Sequence, residues 1–202
     1  MQVFPRPLPR VRLTFVTSNK GKLHEASTAL APLGIEVVGS DLKPIEIQAD
    51  TLQEIARAKC EVLVGRVDPP FIVDDGGLFV HALKDFPGVF SAHALQTIGV
   101  PGILKLMEGV PERGAHFAAV VGYHDGSGVR LFAGRCDGAL ATAPRSQGHG
   151  FGFDPIFVPE GHRETFGELP AAVKNRISHR GRALAQLAAH LGVASRTSPR
   201  EP

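Results

Sequence analysis

The chain has 202 residues, 43% of them hydrophobic and 21% charged, with a formal net charge of +2 when histidine is neutral. That length suits one domain with a core large enough to need no staple, and the near-balanced charge excludes a broad nucleic-acid-binding surface while leaving room for a local basic pocket. No run of about 18 apolar residues occurs, which excludes a transmembrane helix, and Cys60 and Cys136 stand in no CxxC or Cys/His zinc spacing, so they read as incidental thiols or as one long-range disulfide.

The opening MQVFPRPLPR is too proline-rich for a signal peptide and, like residues 194–202, reads as a flexible tail. A single domain is expected over residues 11–193. VRLTFVT (Val11–Thr17) is a strand by its β-branched and aromatic run. Leu23, Ala26, Leu30 and Leu33 then share a helical face, with Gly34 as the stop. IEVVGSDL is a second strand. DTLQEIARAKCEVLVG is a helix with a Thr51/Glu54 capping box, an apolar side of Leu52, Ile55, Ala56 and Leu63 that also carries Lys59, and Gly65 at its end. PPFIVDDGGLFVHAL reads as a strand, an acidic-glycine turn and a second extended piece. IGVPGILKLMEG is a short helix with proline in its first turn. AHFAAVVGYHDGSGVRLFAGRCDGAL is a long hairpin turning at DGSG. GHGFGFDPIFVPEG is a glycine-rich loop entering a short strand, and ISHRGRALAQLAAHLG is an amphipathic helix between an N-cap at Ser178 and a stop at Gly192. Alternation of strands and helices, then strands, then a helix predicts an α/β fold: a mixed sheet with helices on both faces.

Four places carry chemistry. In TSNKGK, a strand ending at Val16 and a helix opening at Lys22 would leave Thr17, Ser18, Asn19 and the lysines around a positive helix end. That is an anion cradle or, as such residues more commonly serve, a capped and solvated turn. In VDDGG, strand alternation sends Asp74 and Asp75 to opposite sides, so that one can be structural and the other face a cleft. A hard cation would want such a carboxylate near phosphate, while a polar turn without chemistry is the plainer reading. Glu46 is an ordinary solvated acid unless it meets Asp75. In GFGFDP and SHRG, glycines let a planar ring approach Phe151 or Phe153. His179 and Arg180 are donors suited to the carbonyl oxygen of a base, or Arg180 is half of a salt bridge. His24, His116 and His190 read as surface or core residues.

The stretches TSNKGKLHE, EIQADTLQEIARAK, DDGGLFVHALKDFPGVFSAH, GFGFDPIFVPEG and NRISHRGRAL, in that order, resemble the inosine triphosphate pyrophosphatases, the Ham1-like family. EIQADTL, GLFV, FPGVFSA and TIGVPGILKLMEG look closest to its archaeal-type branch. The resemblance implies a two-lobed protein with an elongated central mixed sheet, flanking helices and an active-site cleft between the lobes. It implies a homodimer that uses Mg²⁺ to hydrolyse ITP, dITP and XTP to monophosphate and pyrophosphate, and that substrate pool, with the missing targeting signals, makes cytoplasmic residence the expectation. Carried over by position, Thr17, Asn19, Lys22 and Lys59 hold the triphosphate. Glu46 and Asp75 hold the metal, and Asp75 is also the base for the attacking water. Phe151 stacks on the purine, and Asp154, Lys174, Ser178, His179 and Arg180 line the base and sugar side. Departures from the family pattern are Gly76 for a serine beside the phosphates, His81 for an acid, His93 for Arg or Tyr, and Gly167 and Pro170 in the stretch over the base. Gly76 and His81 motivate the alternative of a nucleotide-binding sensor without turnover.

Overall fold

The computed structural model describes residues 11–45 and 47–192; both expected tails and Glu46 lie outside the described residues. Strands β1 (Val11–Val16), β2 (Ile35–Ser40), β3 (Phe71–Val80), β4 (Gly114–His124), β5 (Val129–Leu140) and β6 (Phe157–Pro159) form one mixed sheet. Its order is β2-β1-β3-β4-β5-β6, parallel among the first three and antiparallel from β3 onward. Helices α1 (Lys20–Leu30), α2 (Leu52–Leu63), α3 (Ser91–Thr97), α4 (Gly99–Leu106), α5 (Ala171–Ile177) and α6 (His179–His190) cover it. The fold is α/β, as expected.

Strands β3, β4 and β5 run 10, 11 and 12 residues and tie the two lobes together. In the first lobe Leu13 and Phe15 of β1, Ala26 and Leu30 of α1, and Leu184 and Leu187 of α6 bury their side chains together. In the other, Phe117 of β4 packs against Phe157 and Phe166, with Ile103 and Met107 beneath. Helix α2 covers the sheet through Leu52, Ala56, Cys60 and Leu63 against Phe71, Val73 and Val120. Each element follows from local chemistry. The Thr51/Glu54 capping box forms in both directions. Ser178 caps α6 by accepting from the Gly181 N–H. Gly34, at φ +79°, ends the first helical stretch after a 3-10 turn at Ala31–Leu33.

The structure corrects four expectations. DDGG is no turn, because β3 passes through it unbroken, with Gly76 opposite Ala119 and Gly77 opposite Ala118. The glycine at 77 is there for close approach: a Cβ would lie 2.1 Å from the Gly88 carbonyl oxygen and 2.8 Å from Ser91 Oγ. Ser91 Oγ fills that contact, accepting from the Leu78 N–H and donating to the Gly88 carbonyl, each within 2.8 Å. Helix α1 opens at Lys20 rather than Lys22, since Asn19 takes the cap. Helices α3 and α5, seven residues each and without a side-chain cap, were not expected. Cys60 and Cys136 are both buried free thiols in separate core clusters, which removes the disulfide.

The contact at residue 77 predicts that Gly77→Ala destabilises the fold by about 2 kcal/mol or more, because backbone on both sides cannot yield. The urea unfolding midpoint reads this, and a variant as stable as the parent contradicts it.

Candidate active site

The site begins where β1 ends. The Asn19 N–H donates to Thr17 Oγ1 at 3.1 Å, and Asn19 Oδ1 accepts the Lys22 N–H at 3.0 Å. The turn is therefore a capped one, and it also serves the site: Asn19 and Lys22 both line a cavity of about 350 Å³. That volume lies within the range that small-molecule sites occupy.

Strand alternation separates the adjacent acids as expected. Asp74 points down and is buried, 6% exposed. It pairs with Lys22 Nζ at 2.7 Å and with Arg180 Nε at 3.0 Å. Asp75 lines the cavity, with Oδ2 on Lys59 Nζ at 3.1 Å and Oδ1 accepting the Gly76 N–H at 2.9 Å. Burial pushes the Asp74 carboxyl up, but Arg180 and Lys22 outweigh it and hold the group well below the ordinary carboxylate range.

Below the cavity floor the Asp74 pair extends into a network. Arg180 Nη1 reaches Glu25 Oε2 at 2.6 Å, Glu25 Oε1 reaches Lys174 Nζ at 2.6 Å, and Lys174 Nζ reaches Asp154 Oδ2 at 2.5 Å. Asp154 Oδ2 also accepts the Phe151 N–H at 2.7 Å and so folds the glycine-rich loop. Burial would raise Glu25, yet Arg180 and Lys174 hold it low. Asp154 goes the other way, its burial outweighing Lys174 and the Phe151 N–H.

The aromatic end is built on the same frame. Phe151 lies against Gly21, where a Cβ would approach its ring to 2.5 Å, and the Lys174 ammonium sits 4.9 Å from its ring centre. His179 is buried and stacks on Phe117 at 4.6 Å and 9°. Burial first, then the charges of Arg180 and Lys174, keep its imidazole neutral. Its Nδ1 is buried without a hydrogen-bond partner among the described residues, a condition that native interiors seldom leave unfilled.

Of the residues singled out in the sequence, Asn19, Lys22, Lys59, Asp75, Gly76, Phe151, Asp154, His179 and Arg180 all line the cavity. Thr17, Lys174 and Ser178 sit behind it, as partner of Asn19, as bridge between Glu25 and Asp154, and as cap of α6. Glu46 lies outside the described residues. Phe153, named beside Phe151, and His93, noted as a departure, line the cavity as well, together with Ser91, Leu95 and Phe117, which the sequence reading did not single out. Glu25 was missed entirely. Its signal was position: three residues after Lys22 and next to Ala26, it falls on the buried face of α1.

These shifts set a pH dependence. The depressed Glu25 and Asp74 carboxyls give stability that is present above about pH 4 and lost as pH falls through their lowered pKa values. His179, held neutral, costs stability once the unfolded imidazole can protonate, below about pH 6.5. Asp154, with its raised carboxyl, opposes the trend by favouring the fold as pH falls toward its pKa. The thermal midpoint is therefore expected to drop between about pH 7 and pH 5.5 and more steeply below about pH 4. His179→Leu is expected to flatten the first of these segments, and an unchanged slope in that variant contradicts the assignment.

Comparison with known proteins places this geometry. The sequence pattern of the Ham1 family matches residues 13–190. The chain is 56% identical over 178 residues to a dITP/XTP pyrophosphatase of Thermococcus kodakarensis, covering 88% of this chain and 96% of that protein. It is 46% identical over 179 residues to one of Methanopyrus kandleri, covering 88% and 95%. Among solved structures, a HAM1 protein from Coxiella burnetii superposes with a TM-score of 0.78 at 30% identity, covering 91% of this chain and all of that one. With its fold and its sequence matched over nearly the whole described chain, the protein belongs to the Ham1 family.

Proposed function

We propose that the chain, as one domain over residues 11–193, hydrolyses the non-canonical purine nucleoside triphosphates ITP, dITP and XTP to monophosphate and pyrophosphate. The observation that carries this is the lining of the cavity. A carboxylate bound to a lysine, Asp75 with Lys59, lines it together with an aromatic ring, a neutral imidazole and a guanidinium. The activity named for the archaeal relatives supports the same reading.

Mg²⁺ fits the donors present, because Asp75 offers the carboxylate oxygens that a hard cation takes. We assign Asp75 and Glu46 to it. When bound, such an ion neutralises phosphate charge and acidifies water. The chain's own residues do the rest. Asp75 accepts the proton of the water that attacks the α-phosphorus; the new P–O bond forms as the bond to the β-phosphate oxygen breaks and pyrophosphate leaves. Lys59 and Lys22, with Thr17 and Asn19 at the head of α1, meet the charge that builds on the leaving group. Phe151 offers a face to the purine. His179 and Arg180 supply donors to a 6-keto oxygen, where adenine would present its own donor to theirs, and Asp154, Lys174 and Ser178 hold them in place. The protein is read as a cytoplasmic homodimer. Among the described residues no helix is long and apolar enough to cross a membrane, and exposed Phe86, Phe90, Leu95, Ile98 and Leu106 favour a second copy as partner.

The test incubates the protein with ITP, XTP, ATP and dTTP plus Mg²⁺ and measures pyrophosphate separately from orthophosphate. Pyrophosphate from ITP and XTP is expected; binding without turnover would favour a sensor. Asp75→Asn is expected to lower turnover about 100-fold or more while nucleotide still binds. A near-native rate in that variant rejects Asp75 as the base.

A further inference from the structure

Away from the residues that line the nucleotide cavity, two imidazoles and a carboxylate converge at the end of β3. His81 follows β3, Asp85 lies in the turn after it, and His116 projects from β4. His81 Nε2 and His116 Nδ1 are 3.2 Å apart, and an Asp85 oxygen lies within 4.8 Å of both. None of the three lines the cavity that holds Asp75.

We infer that His81, His116 and Asp85 form a binding site for a first-row transition-metal ion of the Zn²⁺ class, separate from the site of hydrolysis. For the two imidazoles the spacing is what coordination demands. Two imidazole nitrogens about 2.05 Å from a tetrahedral Zn²⁺ stand about 3.3 Å apart, close to the separation found. Two nitrogens with one oxygen suit Zn²⁺, Ni²⁺ or Cu²⁺ and not Mg²⁺, which prefers an all-oxygen shell. Three protein ligands leave one position for water.

The ligands are held in place before any ion arrives. The His116 ring stacks on Phe79 at 4.8 Å and 7°, which fixes its plane, while the side chain is only 8% exposed. The turn returns Asp85 over His81, its N–H donating to the Val80 carbonyl at 3.0 Å. The nearby cation, Arg135, is bound by Asp137, the cross-strand neighbour of His116, at 2.6 and 2.9 Å, so its charge is offset. The turn that carries His81 and Asp85 leads through Pro87 into the Gly88–Phe90 turn and α3, which supply Val89, Ser91 and His93 to the nucleotide cavity. An ion at this site therefore fastens that segment to β4.

The experiment titrates metal-free full-length protein with Zn²⁺ by calorimetry in excess Mg²⁺, and with Co²⁺ by visible absorption. One Zn²⁺ per chain is expected, with a tetrahedral cobalt band, a rise in thermal midpoint on zinc addition, and full retention of all three in Asp75→Asn. His81→Gln and Asp85→Asn change exposed side chains, and each is expected to weaken Zn²⁺ binding by about 10-fold or more with pyrophosphatase activity in Mg²⁺ unchanged. Absence of saturable binding, or binding that is lost in Asp75→Asn and kept in His81→Gln, overturns the inference, the latter by placing the ion in the nucleotide cavity. The outcome is independent of which nucleotide is hydrolysed.

Discussion

Everything in the nucleotide cavity rests on a buried ionic chain beneath it. Lys22, Arg180 and Lys174 face Asp74, Glu25 and Asp154, so that three cations meet three carboxylates and the charge closes to zero. Such a chain is a poor source of net stability, since desolvation consumes most of the Coulomb attraction. Its effect is positional. It joins α1, β3, the glycine-rich loop, α5 and the start of α6, five segments spread from residue 22 to residue 180. Removing one member leaves a buried charge without its partner, costing about 3–5 kcal/mol, whereas keeping all six fixes where Phe151, His179 and Arg180 stand.

The adjacent acids divide this work because β3 is continuous through them. Alternation along the strand sends Asp74 into the ionic chain and Asp75 into the cavity. A bend at the glycines, as the sequence suggested, would have freed both to face one way. Gly76 and Gly77 keep the strand straight and bare instead, which lets the Gly88–Ser91 segment cross it and close the cavity wall.

Local signals were legible in the sequence and long-range ones were not. The Thr51/Glu54 box, the DGSG hairpin, the Ser178 cap and the Gly34 stop are each decided by residues within about four positions, and each formed. Nine of the singled-out residues converged on one cavity because the resemblance supplied an order that spacing could not. Glu25 escaped because its partners lie 149 and 155 residues away and a lone glutamate on a weakly amphipathic helix reads as solvated. Helices α3 and α5 escaped because seven residues without a capping side chain carry little periodic signal. The meeting of His81 with His116 escaped for the same reason as Glu25, since only the antiparallel register of β3 with β4 brings them together.

In the function proposed, neutrality of the ionic chain also governs how the cavity recognises two kinds of chemistry. In that reading a triphosphate needs charge, and Lys59 is joined in supplying it by the head of α1 and by Lys22, whose ammonium already holds Asp74 and has a further N–H to offer. A purine needs none. Around the place proposed for it the guanidinium is spent on Asp74 and Glu25, and the imidazole is held uncharged, so anions gain little by sitting there. What remains there is direction: hydrogen-bond donors locked by carboxylates below and by the Phe117 ring beside. Locked donors cannot turn aside for an amino group, and in the function proposed that rigidity is how a site built from ordinary hydrogen bonds separates a keto purine from adenine.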